Sequence, residues 1–346
     1  MSTGKYRILL LAGGDSAERD VSFSSGRSIY ESLKQSGHTL RLADPGRPFV
    51  GPTEDAELIF KDVSISSRPP VIGGDLYDSR VHFLEVLSGL GKTGCDIIFN
   101  ALHGGAGEDG TLQACFDYLG LVYTGSGALT SALAMNKVLS KRLAAGAGVP
   151  VADDLVMYRS DIDNPDMVRL LERKIGFPLV IKPNSQGSSV GVAIVDSAET
   201  LPAALAAAAG FDRIIMAERY IEGSELTVTI LGGQALPIVE IRPRQGFYDY
   251  RNKYTDGSNE YLVPAPLAEK TTRAVQQSAL DVYHRHGGQV YVRVDFRLSR
   301  DGRHYYLETN TLPGMTSNSL VPKSARAAGI DFPELLDRII RLSLDK

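Results

Sequence analysis

The sequence predicts an α/β fold, because buried strands alternate with helical stretches along the chain. Residues 8–12 form an apolar run that leads into Gly13 and Gly14, and a polar segment and a helical stretch follow as far as Gly37. A second predicted strand, residues 95–100, leads into a glycine-rich loop and another helical stretch. Strand, glycine turn and helix in this order are typical of doubly wound sheets, in which ligands bind at the carboxyl ends of the strands.

The composition limits the partners of this protein. Its 346 residues suffice for two or three domains of roughly 150 residues each. Charged residues make up 23% of the chain and sum to −4 without a long run of either sign, so we expect no nucleic-acid and no membrane partner. Cys95 and Cys115 are too few for a disulfide framework and lack zinc-site spacing. No apolar window approaches the roughly 18 residues of a membrane span, so we expect a cytoplasmic protein. We expect its substrates to be small, because the charge pattern favours neither nucleic acid nor a membrane.

The turn after the first strand is a candidate ligand site. It lacks the GxGxxG spacing, which argues against a nicotinamide cofactor. Glu18 lies where a carboxylate could hold a substrate amine, and Ser22, Ser24 and Ser25 lie where a helix N-terminus could hold an anion. The alternative, which these residues alone favour, is a capped helix with Glu18 in its first turn.

The loop after the second strand is another candidate. Residues 104–110 contain four glycines, and so many glycines lose considerable backbone entropy on folding. That loss makes sense where a ligand must approach the backbone closely. His103 and Glu108 could contact this ligand, or they could only brace the turn.

A lysine-bearing strand, residues 177–183, runs into a loop rich in serine and glycine, residues 184–191. Backbone N–H groups of such a loop can surround phosphate oxygens, while the ammonium of Lys182 adds a point charge. It is not a Walker A loop, because the lysine precedes the glycines. The alternative is a flexible hairpin turn. A preceding helical stretch carries a second lysine, Lys137.

A long segment, residues 241–266, is punctuated by proline, glycine, aspartate and asparagine. Loops of this length inside compact domains are mostly active-site lids or disordered. Disordered segments are poor in aromatic residues, so the aromatic content favours a lid. Its aromatic residues are Phe247, Tyr248, Tyr250, Tyr254 and Tyr261.

The stretch 291–317 begins with apolar and polar residues in alternation, which predicts a strand with one buried face. Asp301 and Gly302 then predict a two-residue hairpin turn. With that turn, Asp295 lies opposite Glu308, and Arg293 lies opposite Asn310.

Two carboxylates across a ladder repel each other unless a positive charge lies between them. An all-oxygen set of Asp295, Glu308 and Asn310 suits Mg²⁺, which proteins hold by one or two carboxylates together with substrate phosphates. The alternative is a solvated polar face that Arg293 and Arg297 neutralise.

Seven segments together resemble the D-alanine:D-alanine ligase family of the ATP-grasp superfamily, in the order in which the family has them. The segments are SAERDVS (16–22), HGGAGEDG (103–110), YTGSG (123–127), VIKPNSQGSSVG (180–191), GFYDYRNKY (246–254), VRVDF (292–296) and ETNTLPGMTSNSLVP (308–322). The resemblance implies three α/β subdomains, residues 1–125, 126–218 and 219–346, with ATP between the last two and the lid at 241–266. It also implies a homodimer.

The resemblance assigns nucleotide and metal contacts by position. Lys137 and Lys182 would contact the phosphates, the loop of Gly187, Ser188 and Ser189 would cover them, and Glu225 would bind the ribose. The adenine pocket would be lined by Glu218, Arg219, Tyr220 and Ile221. Two Mg²⁺ ions, with Mn²⁺ as the alternative, would be bound by Asp295, Glu308 and Asn310.

The resemblance also assigns the amino-acid site. Glu18 would orient the ammonium of the first D-alanine, with His103 near its carboxylate. Ser319 and Leu320 would hold the carboxylate of the second D-alanine. A latch over the site would be formed by Ser188, Tyr254 and Glu18. Further contacts would come from Lys253 in the lid and, at the tetrahedral oxyanion, from Arg293 and the backbone N–H of Gly314.

The implied reaction activates one carboxylate with ATP as an acyl phosphate, which the amine of a second D-alanine then attacks, for peptidoglycan precursor synthesis. Tyrosine at position 254 resembles the dipeptide-forming members, whereas ester-forming relatives carry histidine there. Two alternatives are a related ligase with another second substrate and a nucleotide-binding protein without turnover.

Overall fold

The computed structural model describes residues 4–46, 49–61, 77–244 and 258–346. The strands in these ranges are β1 (Arg7–Leu11), β2 (Thr39–Asp44), β3 (Val50–Thr53), β4 (Ile97–Asn100), β5 (Asp154–Tyr158), β6 (Leu179–Pro183), β7 (Ala193–Val195), β8 (Ile214–Arg219), β9 (Gly223–Leu231), β10 (Gln234–Ala235), β11 (Val239–Pro243), β12 (Asn259–Leu262), β13 (Tyr291–Ser299) and β14 (His304–Asn310).

Helices cover these sheets. The described helices are α1 (Arg19–Gln35), α2 (Glu57–Phe60), α3 (Tyr77–Thr93), α4 (Thr111–Tyr118), α5 (Ala128–Met135), α6 (Lys137–Gly146), α7 (Pro165–Lys174), α8 (Leu201–Ala209), α9 (Glu269–His286), α10 (Leu320–Ala327) and α11 (Phe332–Leu344). These strands and helices give the chain the mixed α/β architecture that the sequence predicts.

Within the described ranges, no helix combines the length and the apolar character that a membrane crossing requires.

The first sheet has the strand order β3-β2-β1-β4, and β1 pairs in parallel with both β2 and β4. Apolar side chains of these strands, such as Leu10 and Phe99, are completely buried. Because β1 and β4 run in the same direction, the two loops that follow them leave the same edge of the sheet. These are the loops that carry Glu18 and His103.

The second sheet is antiparallel, with the order β5-β8-β6-β7. Its apolar face packs against α7 and the alanine-rich α8. On the other side of the sheet, Val180 in β6 pairs with Glu218 in β8. Since alternate residues of a strand point to the same face, Lys182 and Glu218 share a face and lie diagonally across the pair.

The third sheet has the order β12-β11-β9-β13-β14, with β10 on β9. The alternation in β13 buries Val292, Val294 and Phe296 beneath α9, as predicted. The opposite face carries Arg293 and Asp295. Through Arg293, this polar face contributes to the wall of the candidate active site.

The hairpin between β13 and β14 corrects one prediction and confirms another. The turn contains three residues (300–302) instead of two, because the Ser299 N–H donates a hydrogen bond to the Arg303 carbonyl at 2.8 Å and closes the hairpin there. Gly302 takes the left-handed φ of +82°. A one-residue bulge at Leu307 then shifts the register back. Asp295 therefore does pair with Glu308, and the neighbouring pair Arg293 and Asn310 is also confirmed.

The predicted long loop is shorter than the sequence suggested. Its two ends belong to β11 and β12, which pair as antiparallel neighbours. Residues 245–257 lie outside the described residues. The lid residues Lys253 and Tyr254 are among them.

The end of the chain returns to the first sheet. Leu336 and Ile340 of α11 share a buried core with Ile8 of β1, and α11 also contacts α1. Asp337 lies 3.2 Å from His38 across this junction. The Met315 N–H donates to the hydroxyl of Ser25 in α1 at 3.1 Å, so the segment that leads into α10 lies beside α1.

Candidate active site

A cavity of about 700 Å³, the large cavity, opens where loops of all three sheets meet. The loops after β1, β4 and β6 supply part of its wall, and β13, β14 and the start of α10 supply the rest. The predicted site residues that line it are Glu18, His103, Lys137, Gly187, Ser188, Arg293, Glu308, Asn310, Gly314, Ser319 and Leu320. The structure thus brings together all the predicted amino-acid contacts that fall within the described residues.

A second cavity of about 90 Å³, the small cavity, lies between the second and third sheets. The predicted nucleotide contacts that line it are Lys137, Lys182, Ser189, Glu218, Arg219, Tyr220, Ile221 and Glu225. Lys137 and Glu308 line both cavities. A group bound in one cavity can therefore meet a group bound in the other at these two side chains.

Glu218 is the centre of a buried ionic cluster. Its carboxylate accepts hydrogen bonds from Lys182 at 2.6 Å and from Lys141 at 2.8 Å, and Lys141 lies 3.2 Å from Asp154. Burial lowers the pKa of the Lys182 ammonium. Burial opposes ionisation of Glu218, but the two lysines outweigh it and hold the pKa of this carboxyl below its ordinary value.

Lys141 is a site residue that sequence analysis missed. It is almost completely buried, and it is the second cation on Glu218. The signal was its spacing, because residues four apart on a helix project from the same face and Lys141 follows Lys137 by four. Two lysines of α6 thus face the region between the second and third sheets.

Lys137 is the first residue of α6, where Asn136 caps the helix by accepting a hydrogen bond from the Leu139 N–H. Its ammonium donates to the Gln186 carbonyl at 2.9 Å and lies 2.8 Å from the Glu308 carboxylate. Burial lowers the pKa of Lys137, but the carboxylates around it, Glu308 first, outweigh burial and raise the pKa. Helix α6 therefore presents the Lys137 ammonium to both cavities, with its charge balanced by the Glu308 carboxylate.

Asp295 is held by its own strand and by its neighbour. Arg293 donates to its carboxylate at 2.8 and 2.9 Å, and Thr227 of β9 donates at 2.5 Å. The alternative interpretation of this face is thus realised in part, because Arg293 does neutralise Asp295. Arg297 lies 3.7 Å from the carboxylate of Glu225, and it donates to the carbonyls of Ile221 and Gly223.

The oxygen donors fit a hard cation by their chemistry. Asp295 and Glu308 are cross-strand partners, and Asn310 follows on the same face of β14. Glu308 and Asn310 line the large cavity, whereas Asp295 is not among the lining residues of either cavity. Within the described part of the chain, no three His, Cys, Asp or Glu side chains form a metal-binding group by themselves. A cation here would therefore need further oxygen ligands, such as phosphate.

Glu18 and Ser188 connect the first sheet to the loop after β6. The Ser188 hydroxyl donates a hydrogen bond to the Glu18 carboxylate, as the resemblance implied. Glu18 holds the N-cap position of α1, but its side chain makes no capping hydrogen bond. Ser188 and Ser189 both adopt left-handed φ angles, +48° and +58°. Non-glycine residues rarely adopt this conformation, and those that do cluster at functional sites.

Gly187 is required by the same contact. A Cβ at this position would lie 2.4 Å from a carboxylate oxygen of Glu18, which is closer than real side chains approach. A larger residue at this position would therefore displace the Glu18 carboxylate from its present contact with Ser188.

His103 and Glu108 both line the large cavity, and Glu108 also braces its own loop. Glu108 accepts a hydrogen bond from the Gly104 N–H at 2.9 Å, and burial with the nearby Glu18 raises its pKa to about 8. His103 lies 3.0 Å from the Ser25 hydroxyl, and burial lowers its pKa to about 4. At neutral pH His103 is therefore uncharged.

The N-terminus of α10 faces the large cavity. Ser319 precedes the helix, and its hydroxyl accepts a hydrogen bond from the Thr316 N–H at 3.1 Å. Leu320 is the first helical residue and Gly314 also lines the cavity. Free N–H groups at a helix N-terminus favour anions, which makes this end of the cavity suitable for a carboxylate.

The chain matches two family models over most of its length. The one described as "D-ala D-ala ligase N-terminus" matches residues 7–126, and the one described as "D-ala D-ala ligase C-terminus" matches residues 143–341. The D-alanine–D-alanine ligase of Alkalilimnicola ehrlichii is 40% identical over 334 residues, which make up 96% of this chain and 93% of that protein.

Two solved structures are similar over almost the whole chain. The D-alanine–D-alanine ligase from Bacillus anthracis complexed with ATP is 33% identical, with a TM-score of 0.75 and coverage of 99% of this chain and 98% of that one. The VanG D-Ala:D-Ser ligase from Enterococcus faecalis is 27% identical, with a TM-score of 0.80 and coverage of 98% and 100%.

Proposed function

This chain belongs to the D-alanine–D-alanine ligase family, and we propose that its two cavities are the site where ATP drives the joining of two D-alanines into D-alanyl-D-alanine. The fold is the ATP-grasp fold of that family. The products besides the dipeptide are ADP and phosphate, and the dipeptide serves peptidoglycan precursor synthesis. The observation that carries the proposal is that Lys137 and Glu308 line both cavities, where the nucleotide and the amino acid must meet.

We propose that the chain divides into subdomains at residues 125 and 218. The first and third sheets each lie within one of these parts, and the second sheet passes the boundary only at Arg219, the last residue of β8, which supports the division. The small cavity has lining residues from residues 126–218 and 219–346, as a nucleotide site between those two parts requires.

In the first step, a carboxylate oxygen of the first D-alanine attacks the γ-phosphorus of ATP. An acyl phosphate forms, and the bond to the β-phosphate oxygen breaks to release ADP. Two anions must approach each other, so the cations Lys137 and Lys182 contribute by lowering their repulsion. Lys182 is bound to Glu218 in this structure, and Lys141 would keep Glu218 compensated when Lys182 turns to phosphate.

We propose that Asp295, Glu308 and Asn310 hold two Mg²⁺ ions, or Mn²⁺, when nucleotide is bound. Their all-oxygen donor chemistry and the cross-strand pairing of the two carboxylates support this assignment. The ions would supply further neutralisation of phosphate charge.

In the second step, the amine of the second D-alanine attacks the acyl carbonyl, and phosphate leaves. We assign the oxyanion contacts to Arg293 and the Gly314 N–H, both of which line the large cavity. Glu18 would orient the ammonium of the first D-alanine, and the uncharged His103 would lie near its carboxylate. Lys253 and Tyr254 would close the site from the lid, because an acyl phosphate must be kept from water.

Ser319 and the N–H of Leu320 would hold the carboxylate of the second D-alanine. The position of both at the N-terminus of α10 supports this role. The phosphates would lie beneath the loop of Gly187, Ser188 and Ser189. The adenine and ribose would occupy the small cavity, against Glu218–Ile221 and Glu225 respectively, which line it.

The identity of the second substrate decides between this function and its nearest alternative. The similarity to a D-Ala:D-Ser ligase favours a test with D-serine as well as D-lactate. The experiment supplies D-alanine with each competitor, ATP and Mg²⁺, and identifies products by mass spectrometry. We expect mainly D-alanyl-D-alanine. A predominant mixed dipeptide or ester would reassign the second substrate, and no phosphate release with D-alanine would favour a binding protein without turnover.

We also propose that the enzyme is a cytoplasmic homodimer. Cys95 and Cys115 are free thiols, which suits a reducing compartment. Tyr118 and Leu84 are exposed apolar side chains in the first subdomain and could contribute to association. Sedimentation equilibrium would measure the mass in solution.

A further inference from the structure

Lys323 lies one turn into α10 and lines the large cavity beside Ser319 and Leu320. Its ammonium donates to the Asn318 carbonyl at 2.5 Å and lies 5.1 Å from the centre of the Tyr261 ring. Tyr261 belongs to β12 and lines the same cavity. The lysine is therefore held at the end of the cavity where α10 begins.

The other basic side chains that line this cavity, within the described part of the chain, already have acidic partners or carry no charge. Lys137 is paired with Glu308, and Arg293 is paired with Asp295. His103 is uncharged at neutral pH because burial lowers its pKa to about 4. They cannot supply an uncommitted positive charge for a carboxylate ligand.

Lys323 differs from these residues. Among the residues that the structure describes, no carboxylate lies within 4.0 Å of its ammonium, whereas eighteen other ion pairs meet that limit. Burial, and after it the neighbouring cation Arg326, lower the pKa of Lys323. The negative charge of an anion bound at this place would offset both effects, because an opposite charge nearby favours the protonated ammonium.

We propose that Lys323 binds the carboxylate of the second D-alanine and makes the site selective for acceptors that carry an α-carboxylate. The inference rests on the proposed function and adds a residue to it. The Ser319 hydroxyl and the Leu320 N–H offer hydrogen bonds without a full charge, and Lys323 provides the full charge next to them. The cation distinguishes a carboxylate from an amide of the same shape.

The test uses D-alaninamide, which has the amine of D-alanine but no carboxylate. The enzyme receives ATP, Mg²⁺ and a mixture of D-alanine and D-alaninamide, and mass spectrometry measures the ratio of dipeptide to dipeptide amide. This ratio reports the ratio of kcat/KM for the two acceptors. In Lys323→Gln we expect it to fall by about tenfold or more, since a hydrogen bond to a charged group is lost with D-alanine only.

Two further variants serve as controls. Lys323→Arg keeps the charge and should keep most of the selectivity. Arg326→Gln removes a positive charge from the same helix, but Arg326 is exposed and donates to the Ser317 carbonyl at 3.4 Å, outside the cavity lining, so the product ratio should not change. Circular dichroism checks that each variant is folded.

The outcomes separate this inference from the proposed function. If the native enzyme makes no D-alanyl-D-alanine, the proposed function fails. If the native enzyme is active and Lys323→Gln leaves the product ratio unchanged, only the role of Lys323 is overturned. Equal losses with both acceptors would also overturn it, because they would assign Lys323 to holding the loop of Asn318.

Discussion

The ammonium of Lys137 lies 2.8 Å from the carboxylate of Glu308, at the wall that the large and small cavities have in common. One residue begins helix α6 and the other lies in strand β14, so the contact joins the second and third parts of the proposed fold. In the proposed reaction, the phosphoryl group would pass from nucleotide to amino acid at this place. The pair would then supply a cation and a carboxylate to the first chemical step.

Glu308→Gln should lose Mg²⁺-dependent activity while the protein stays folded. The amide keeps the shape of the side chain but removes the charge that would hold a cation, so kcat should fall at least about a hundredfold. Phosphate release is measured over a range of Mg²⁺ concentrations, and thermal unfolding confirms folding. Activity close to that of the native enzyme would falsify the metal assignment of Glu308.

Ser188→Ala should weaken binding of the first D-alanine. The variant removes the hydroxyl that donates to Glu18, and the loss of a hydrogen bond to a charged group corresponds to about a tenfold rise in KM. The control is Ser185→Ala in the same loop, where the side chain is exposed and does not line the large cavity. Equal effects of both substitutions on KM would contradict the specific role of Ser188.

Tyr254→Phe should keep the fold but loosen the proposed latch. Position 254 lies outside the described residues, and the expectation comes from the family resemblance together with the observed contact between Ser188 and Glu18. Without the hydroxyl, water should reach the acyl phosphate more often, so more ATP would be hydrolysed for each dipeptide made. The measurement is the ratio of phosphate to dipeptide. Unchanged turnover with an unchanged ratio would count against the latch.

The pairing of Asp295 with Glu308 was predictable from the sequence, although the length of the turn that joins their strands was not. Alternation fixed which side chains share a face, and the buried Val294 and Phe296 confirm it. The turn is one residue longer than Asp301-Gly302 predicts, and the bulge at Leu307 compensates for the difference. A bulge depends on packing against neighbouring strands, which short-range patterns do not report.

The buried ionic cluster was not predictable in the same way. Lys182, Glu218 and Lys141 come from two strands of one sheet and a helix that precedes it, and nothing local in the sequence places them within hydrogen-bonding distance. The family resemblance assigned Glu218 to the adenine pocket, and Glu218 lines the small cavity, but the resemblance gave no indication of its two lysine partners. Tertiary packing alone determines that contact.

Lys141→Met should destabilise the ligand-free protein. The substitution leaves Glu218 with Lys182 as a cationic partner and removes Lys141 from Asp154. Removal of one partner of a buried ion pair lowers the free energy of unfolding by about 3 kcal/mol or more. The matched control is Arg142→Met, which removes a half-exposed partner of the same Asp154 and should lower it by less than about 1 kcal/mol. Urea unfolding measures both. A larger loss in Arg142→Met would contradict the assignment of the cluster to Lys141.

Glu108→Gln should change how stability depends on pH. Burial first, and then the charge of Glu18, raise the pKa of Glu108 from 4.5 to about 8, so the folded protein holds this proton more tightly than the unfolded chain. That contribution to stability is fully present below pH 4.5 and is lost as pH rises through about 8. Glutamine stays neutral and still accepts the hydrogen bond from Gly104.

The difference in Tm between Glu108→Gln and the native protein should therefore become more favourable to the variant between pH 5 and pH 8.5, conditions in which the native side chain loses its proton. Differential scanning calorimetry without ligands makes the measurement. The exposed Glu85→Gln on α3 serves as control and should show no such trend. A difference in Tm that stays constant over this range would mean that Glu108 is already ionised at pH 5. This result would contradict the raised pKa of the buried Glu108 carboxyl beside Glu18.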